Sequence, residues 1–270
     1  MVLRQEVADA VNQLRPLPRV VMRLVELLES DTATTEQIEA VIVADPVMCG
    51  RVLQVANSAY YGLARQVSTV QHALLVLGSR TVRGIALSVA AVDAFRAHRS
   101  VSAAERDLWR HAFSTALCAR GIALTLRWGV SLAEDAYIVG LLHDIGALFL
   151  RTRYRALYQP LMAIANETER LEREVQIFGC DHADVGAMIA DHWRLPERIV
   201  QAIAHHHAPY LPDGENRRLM AAVLQAEAWQ HGGGAPAEVA VLIRLSEQEQ
   251  AQMMAQAQEQ TALYEQMLFS

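Results

Sequence analysis

The sequence predicts an all-α protein, and three observations carry that prediction. Apolar residues recur at helical spacing in one segment after another. Helix-start signatures, S/T-x-x-E/Q and Asp-Pro, stand in front of those segments. No run alternates with period two between hairpin turns. Hydrophobic residues make up 52% of the 270 and aromatics only 6%, so the core is built from Leu, Val, Ala and Ile. That length suffices for one large domain or two smaller ones.

Pro16 and Pro18 precede VVMRLVELLES, in which Val21, Leu24, Val25 and Leu28 share a helical face. Thr34 to Gln37 reads as a capping box opening IEAVIV. Asp45-Pro46 reads as the N-cap and first residue of a helix to about Ala56. SAYYG, residues 58–62, is a turn closed by Gly62. Tyr60 and Tyr61 are expected to pack this half of the chain on its neighbour, a recognition surface being the alternative. Thr69 opens a helix that ends at Leu77 before Gly78, and an Ala/Val-rich helix follows to about Phe95.

The polar stretch AHRSVSAAE, residues 97–105, is the candidate boundary, and Ser102 to Glu105 caps a helix reaching nearly to Gly129. Ser131 to Glu134 repeats the signal and opens a helix leading to His143. Further helices are expected at about 153–166, 181–193, 196–207 and 216–230, with Trp193 in the core and Pro196 at a helix start. Gly232 to Gly234 forms a loop, and Ser246 to Glu249 caps a last helix. Its apolar face (Met253, Met254, Leu263, Tyr264, Met267, Leu268) is expected to cover the same chain, a homodimer being the alternative. These elements divide into an N-terminal helical lobe (1–97), a helical bundle (98–245) and a C-terminal helix (246–270).

Net charge is −6, with no basic arm, so nucleic acid is not an expected partner. Cys49, Cys118 and Cys180 are far apart and show no CxxC spacing, as in reduced thiols of a cytoplasmic protein. The N-terminal MVLRQEVADAV carries acids where a signal peptide is apolar. No apolar run reaches the roughly 20 residues that span a bilayer, so no membrane association is expected.

The histidines raise the functional question. His111 sits mid-helix, sharing a face with Leu108 and Thr115. His143 and Asp144 are adjacent in the apolar GLLHDIGALFL, His182 follows Asp181, and His205 to His207 close LPERIVQAIAHHH. An unpaired buried polar group costs about 1–3 kcal/mol, so the His143-Asp144 doublet requires partners. Imidazole and carboxylate are the usual ligands of Zn, Fe, Mn and Ni, and an Asp between two metals bridges them. Each residue also has an ordinary role: a histidine packed in a core, a histidine at a helix C-terminus suiting the macrodipole, and Asp181 as an N-cap.

The order His111, His143-Asp144, His182, His206-His207 resembles the metal-dependent phosphohydrolase superfamily named for its His-Asp doublet, and is similar to the HD-GYP cyclic-di-GMP phosphodiesterases. A closer resemblance is to the HDOD family, the HD-related output domain of bacterial signalling proteins. It is carried by LPRVVMRLVELLES, VIVADPVMCGRVLQVANSAYYG, VSTVQHALLVLGSRTVRGIAL, GLLHDIGALFL and GCDHADVGAMIADHWRLPERIVQAIAHHH, and covers roughly residues 14 to 231. The resemblance implies an N-terminal helical lobe packed on an HD-type bundle. It also implies a signalling role, generally non-catalytic, exerted on a signalling protein partner. It assigns His111, His143 and Asp144 to one metal and His182, His206 and His207 to a second. The superfamily's last ligand is an Asp; the counterpart here, in AVLQAEAWQ, is Glu227. The cofactor implied is a divalent transition metal (Fe, Mn, Ni or Zn), mono- or binuclear, or lost altogether.

Two departures bear on activity. The phosphodiesterases follow the doublet with Ile-Gly-Lys, whereas this chain has Ile145-Gly146-Ala147; and APYLPDGENRR contains no GYP. Phosphoryl chemistry depends on placed positive charge, and nothing in the sequence assigns Arg217 or Arg218 to that task. The first reading is therefore a non-catalytic signalling module with a retained or vestigial metal site. The others are a metal-dependent phosphohydrolase of nucleotides or cyclic dinucleotides, and a regulator that binds a small ligand.

Overall fold

The computed structural model describes residues 2–29, 34–57, 63, 65–96, 102–208, 210–214 and 216–269, and among these the chain is helical with no strand. A short helix α1 (Arg4–Asn12) comes first. Then α2 (Arg19–Glu29), α3 (Thr35–Val43), α4 (Pro46–Ala56), α5 (Val70–Leu77) and α6 (Ser79–Arg96) pack on one another. The next helices are α7 (Ala103–Thr125), α8 (Val130–Leu142) and α9 (Ile145–Arg153), then the short α10 (Arg155–Tyr158) and a 3-10 turn over Gln159–Ala163. They are followed by α11 (Glu167–Phe178), α12 (His182–His192), α13 (Glu197–Ala204), α14 (Asn216–Gln230), α15 (Ala237–Leu242) and α16 (Glu247–Phe269). Helix α7 is the axis of this second group and packs on α8, α14 and α16. Helix α1 lies against α12, and the Val2 N–H donates to Ile177 O at 2.7 Å.

The starts of the helices follow the sequence signals. Thr34 and Gln37 close their capping box, as do Ser102 with Glu105 and Ser246 with Glu249. Asp45 accepts from the N–H groups of Val47 and Met48 with Pro46 at the first helical position, and Thr69 accepts from His72. SAYYG, the segment 97–101, and the side chains of Leu28, Met267 and Leu268 lie outside the described residues.

Three expectations are corrected. Ser131 to Glu134 is not a capping box: α8 starts two residues earlier than that box would place it, at Val130, after Gly129 at φ 98°. Ser131 instead accepts from Arg80, and Glu134 is buried, accepting from Thr81 at 3.1 Å and Arg120 at 2.8 Å. Tertiary partners outbid the local motif. The helix expected at 153–166 is α10 plus the 3-10 turn, because Pro160 has no N–H to donate to the carbonyl of Ala156. The region up to 178 then holds a further helix, α11, with Asn166 as N-cap. Helices α1 and α15 were not expected either.

One apolar core runs through both halves of the chain. Phe95 of α6 meets the fully buried Trp193 edge-on, with ring centroids 6.2 Å apart. A buried polar clasp ties α6 to α8 and α13 as well. Asp135 accepts from Arg83 at 3.3 Å and from Arg198 at 2.8 Å. Buried carboxylates held this way resist being separated, because losing one partner strands the other charge. Helix α16 turns Met253 and Tyr264 onto its own bundle, where Tyr264 stacks on Phe113 at 4.7 Å. Among the described residues no single helix is long and apolar enough to cross a membrane. The three cysteines are unpaired, and burial pushes the Cys118 thiol up to about 12.

Candidate metal centre

Six helices meet at the histidines. His111 comes from the middle of α7, and Glu227 from α14. His143 ends α8 and Asp144 is the N-cap of α9, so the break between these helices turns both side chains of the doublet inward. His182 opens α12. Helix α13 stops at Ala204, short of the expected 207, and His205 to His207 form a turn. That early stop matters, since neighbouring residues on a regular helix do not share a face, whereas His206 and His207 both reach the cluster. His205 is exposed, with Nδ1 2.8 Å from Gln201 O, and takes no part.

Glycines set how closely the elements approach. A Cβ on Gly140 would lie 2.7 Å from Ala116 Cα, so α7 and α8 touch backbone to backbone beside His111 and His143. A Cβ on Gly146 would lie 2.0 Å from His182 O. Only a residue without a Cβ admits the α9–α12 contact.

The donor atoms fall into two groups. In the first, His111 Nε2 and His143 Nε2 are 3.2 Å apart, and Glu227 Oε2 lies 3.1 and 3.3 Å from them. The extra methylene of Glu227 thus brings its carboxylate within reach. In the second, His182 Nε2 is 2.8 Å from His207 Nε2. The Asp144 carboxylate is divided between the groups. Its Oδ2 lies 3.6 Å from His143 and 3.9 Å from His111, while its Oδ1 lies 3.3 Å from His182 and 4.0 Å from His206. Ligand bonds of about 2.0–2.2 Å bring donor atoms to roughly 3.0–3.4 Å from one another, close to the separations among His111, His143 and Glu227 and between Asp144 and His182.

Outer partners decide which ring nitrogen faces inward. His143 Nδ1 lies 2.8 Å from Gly140 O, and His206 Nδ1 lies 2.7 Å from Ile203 O. Both carbonyls can only accept, so each Nδ1 carries a proton and each ring turns Nε2 to the cluster, where it offers a lone pair whenever that nitrogen is deprotonated. His206 Nε2 is buried and has no hydrogen-bond partner. His182 Nδ1 meets Glu174 Oε2 at 2.7 Å, the carboxylate–histidine support common behind metal ligands. Glu174 also accepts from the His182 N–H and the Tyr158 hydroxyl, and His231 Nε2 holds Glu227 Oε1 at 2.8 Å.

Electrostatically the cluster calls for a cation. Burial penalises a charged His143, but Asp144 and Glu227 outweigh it and raise its pKa to about 9. His182 rises to about 10 against the same penalty, through hydrogen bonds to Asp144 and Glu174. Burial works against charge on Asp144 and Glu227 too, yet the surrounding imidazoles hold both carboxyls well below the usual range. His206 is driven the other way by burial and by its histidine neighbours, and stays neutral. An orphaned buried lone pair among carboxylates and imidazoles fits a divalent transition metal.

The structure brings all seven sequence candidates together: His111, His143 and Glu227 in one group, Asp144, His182, His206 and His207 in the other. It differs from the expected partition in placing Asp144 across both. Asp181 is an N-cap, accepting from the Asp184 N–H at 2.8 Å. The supporting residues Glu174 and His231 went unread in the sequence. Glu174 lies in the charged ETERLEREVQIF, where nothing marks one glutamate as buried; His231, four residues after Glu227 on one helix face, was a readable signal.

Among the described residues no arginine pairs with a donor of the cluster. The chain contains no lysine, and Ala147 is buried on α9. Arg217 pairs with Asp213 and Glu238, and Arg218 lies over the Trp128 ring. Among the described residues the Asp144 carboxylate pairs with histidines alone.

Comparisons with known proteins agree with this architecture. An uncharacterized protein from Treponema pallidum (strain Nichols) is 27% identical over 214 residues, covering 78% of this chain. The chain spans only 41% of that relative's length. A solved structure from Shewanella amazonensis, described as a candidate phosphohydrolase, is 25% identical with a TM-score of 0.72, covering 95% of this chain and 97% of its own. One from Marinobacter aquaeolei, described as a candidate signal transduction protein, has a TM-score of 0.76 at 22% identity. It covers 97% of this chain and 61% of its own, and at that identity the likeness is one of fold. The family model for the HDOD domain matches residues 14–209, from just after α1 to just past the histidine run, and the chain belongs to the HDOD family.

Proposed function

We propose that this chain is a cytoplasmic regulatory HDOD module that keeps a divalent metal centre and acts through contacts with a signalling protein rather than through turnover. The observation that carries this reading is a donor set of seven residues with no arginine paired to it among the described residues. His111, His143, Glu227 and Asp144 would hold one metal, and Asp144, His182, His206 and His207 a second. A bound metal supplies positive charge and Lewis acidity. The chain's own residues orient the donors, exclude water around His143, His182 and His206, and tie α7, α8, α12 and α14 to one point. Phosphoryl transfer also draws on cationic side chains at the phosphate, and the two arginines weighed for that task from the sequence, Arg217 and Arg218, are engaged elsewhere.

A second reading, a metal-dependent phosphohydrolase of nucleotides or cyclic dinucleotides, is favoured by one feature: Asp144 stands between the two groups as a bridging carboxylate does in binuclear hydrolases. Turnover separates the two. Cyclic-di-GMP and bis(4-nitrophenyl) phosphate, each supplied with Mn, Fe or Ni, are expected to be hydrolysed no faster by the native chain than by His143→Ala. Metal-dependent hydrolysis that His143→Ala abolishes would replace the first reading by the second.

A further inference from the structure

A cavity of about 840 Å³ opens between the start of α7 and the region where α9 passes into α10. Small-molecule sites are commonly about 300–1,000 Å³. None of the seven donors lines it. Two arginines do: Arg151, in the last turn of α9, and Arg155, which opens α10. Neither has a carboxylate partner among the described residues, and the Arg151 Nε is buried without an acceptor. The Arg151 guanidinium lies over the Tyr158 ring at 5.5 Å, which holds it at the cavity wall. The one acid of the lining, Glu105, is committed to capping α7: its Oε2 accepts from Ser102 N at 2.8 Å and Ser102 Oγ at 2.9 Å. Ala104 and Met162 add apolar surface beside these cations.

Guanidinium groups recognise planar or tetrahedral oxyanions through paired N–H donors. We propose that this cavity binds a small organic anion, whose phosphate or carboxylate is taken by Arg151 and Arg155 while its apolar body lies against Ala104 and Met162. The inference does not depend on metal at the histidine cluster. The two places nevertheless share a wall, because the hydroxyl of Tyr158 donates to Glu174, which orients His182.

The test is calorimetric titration of the full chain, stripped of metal by chelation, with adenosine monophosphate and, separately, with citrate. At least one is expected to bind. Arg155→Ala, on an exposed side chain that folding does not need, is expected to weaken that binding about tenfold or more, as is Arg151→Met. Arg217→Ala, which removes the same charge at a distance, is expected to leave it unchanged. Preference for adenosine monophosphate or for citrate decides between phosphate and carboxylate. Binding of neither anion, an affinity indifferent to Arg155→Ala, or equal weakening by Arg217→Ala would overturn the proposal.

Discussion

Replacing Gly146 by alanine is expected to destabilise the chain by about 3 kcal/mol or more and to disrupt the histidine cluster at the same time. A Cβ at this position would lie 2.0 Å from His182 O and 2.6 Å from Gly186 N. Both are backbone atoms, so no side chain can swing aside; helices α9 and α12 must separate. Asp144 is two residues away at the start of α9, and His182 is itself the point of collision. The displacement therefore lands on the carboxylate shared by the two groups and on a histidine of the second group together. Gly50 is the control. It lies within α4, with nothing within 4 Å of a built Cβ, so Gly50→Ala is expected to be neutral or stabilising by about 0.5–1 kcal/mol. Urea denaturation of the two variants reads the difference. A Gly146→Ala chain within about 0.5 kcal/mol of the native one would show that the close helix crossing is not a constraint.

The second large effect is expected at Glu174. This carboxylate is fully buried and takes three donors: His182 Nδ1 at 2.7 Å, the His182 N–H at 2.8 Å and the Tyr158 hydroxyl. Glu174→Ala strands all three, and breaking a buried pair in this way costs about 3–5 kcal/mol. Tyr158→Phe removes one neutral donor and is expected to cost about 1 kcal/mol. In metal-free protein the effect depends on pH. The raised pKa of His182 means that its share is fully present below its ordinary value of 6.5 and fades as pH climbs through about 10. The Glu174 carboxyl is opposed by burial but held below its ordinary 4.5 by its bonds to His182, so its share is present above 4.5 and fades under more acid conditions. The stability gap between native chain and Glu174→Ala should therefore be widest between pH 4.5 and 6.5 and narrow on both sides. A gap that widens from pH 6.5 to 10 would contradict this.

The fold was legible where local chemistry decides. Thr34, Asp45, Ser102 and Ser246 sit at helix starts because their side chains satisfy N–H groups within three residues, which a sequence displays directly. Ser131 and Glu134 carry the same pattern and fail, because Arg80, Thr81 and Arg120 approach from other helices. The site was legible in residue type: an adjacent His-Asp in an apolar run and a triple histidine at a helix end are unusual, and both mark it. What orients the donors was not. Glu174 looks like any acid of a solvated helix until α11 is seen packed behind His182, and Gly146 gives no sign of the carbonyl it must clear. The fates of Arg217 and Arg218 were hidden too, since Glu238 comes from α15 and Trp128 from the turn after α7.

The account's central claim is that the seven donors form one metal centre in two compartments joined by Asp144. Metal content, measured by mass spectrometry on protein purified without added metal, tests it most directly when the native chain is compared with Asp144→Asn and His206→Ala. The native chain is expected to carry transition metal, up to two ions per chain for two donor groups. Asp144→Asn, which alters the carboxylate shared by both groups, is expected to lose metal from both; His206→Ala is expected to lose it from the second group alone. A native chain with no more transition metal than Asp144→Asn, before and after incubation with Mn, Fe, Ni or Zn, would contradict the claim.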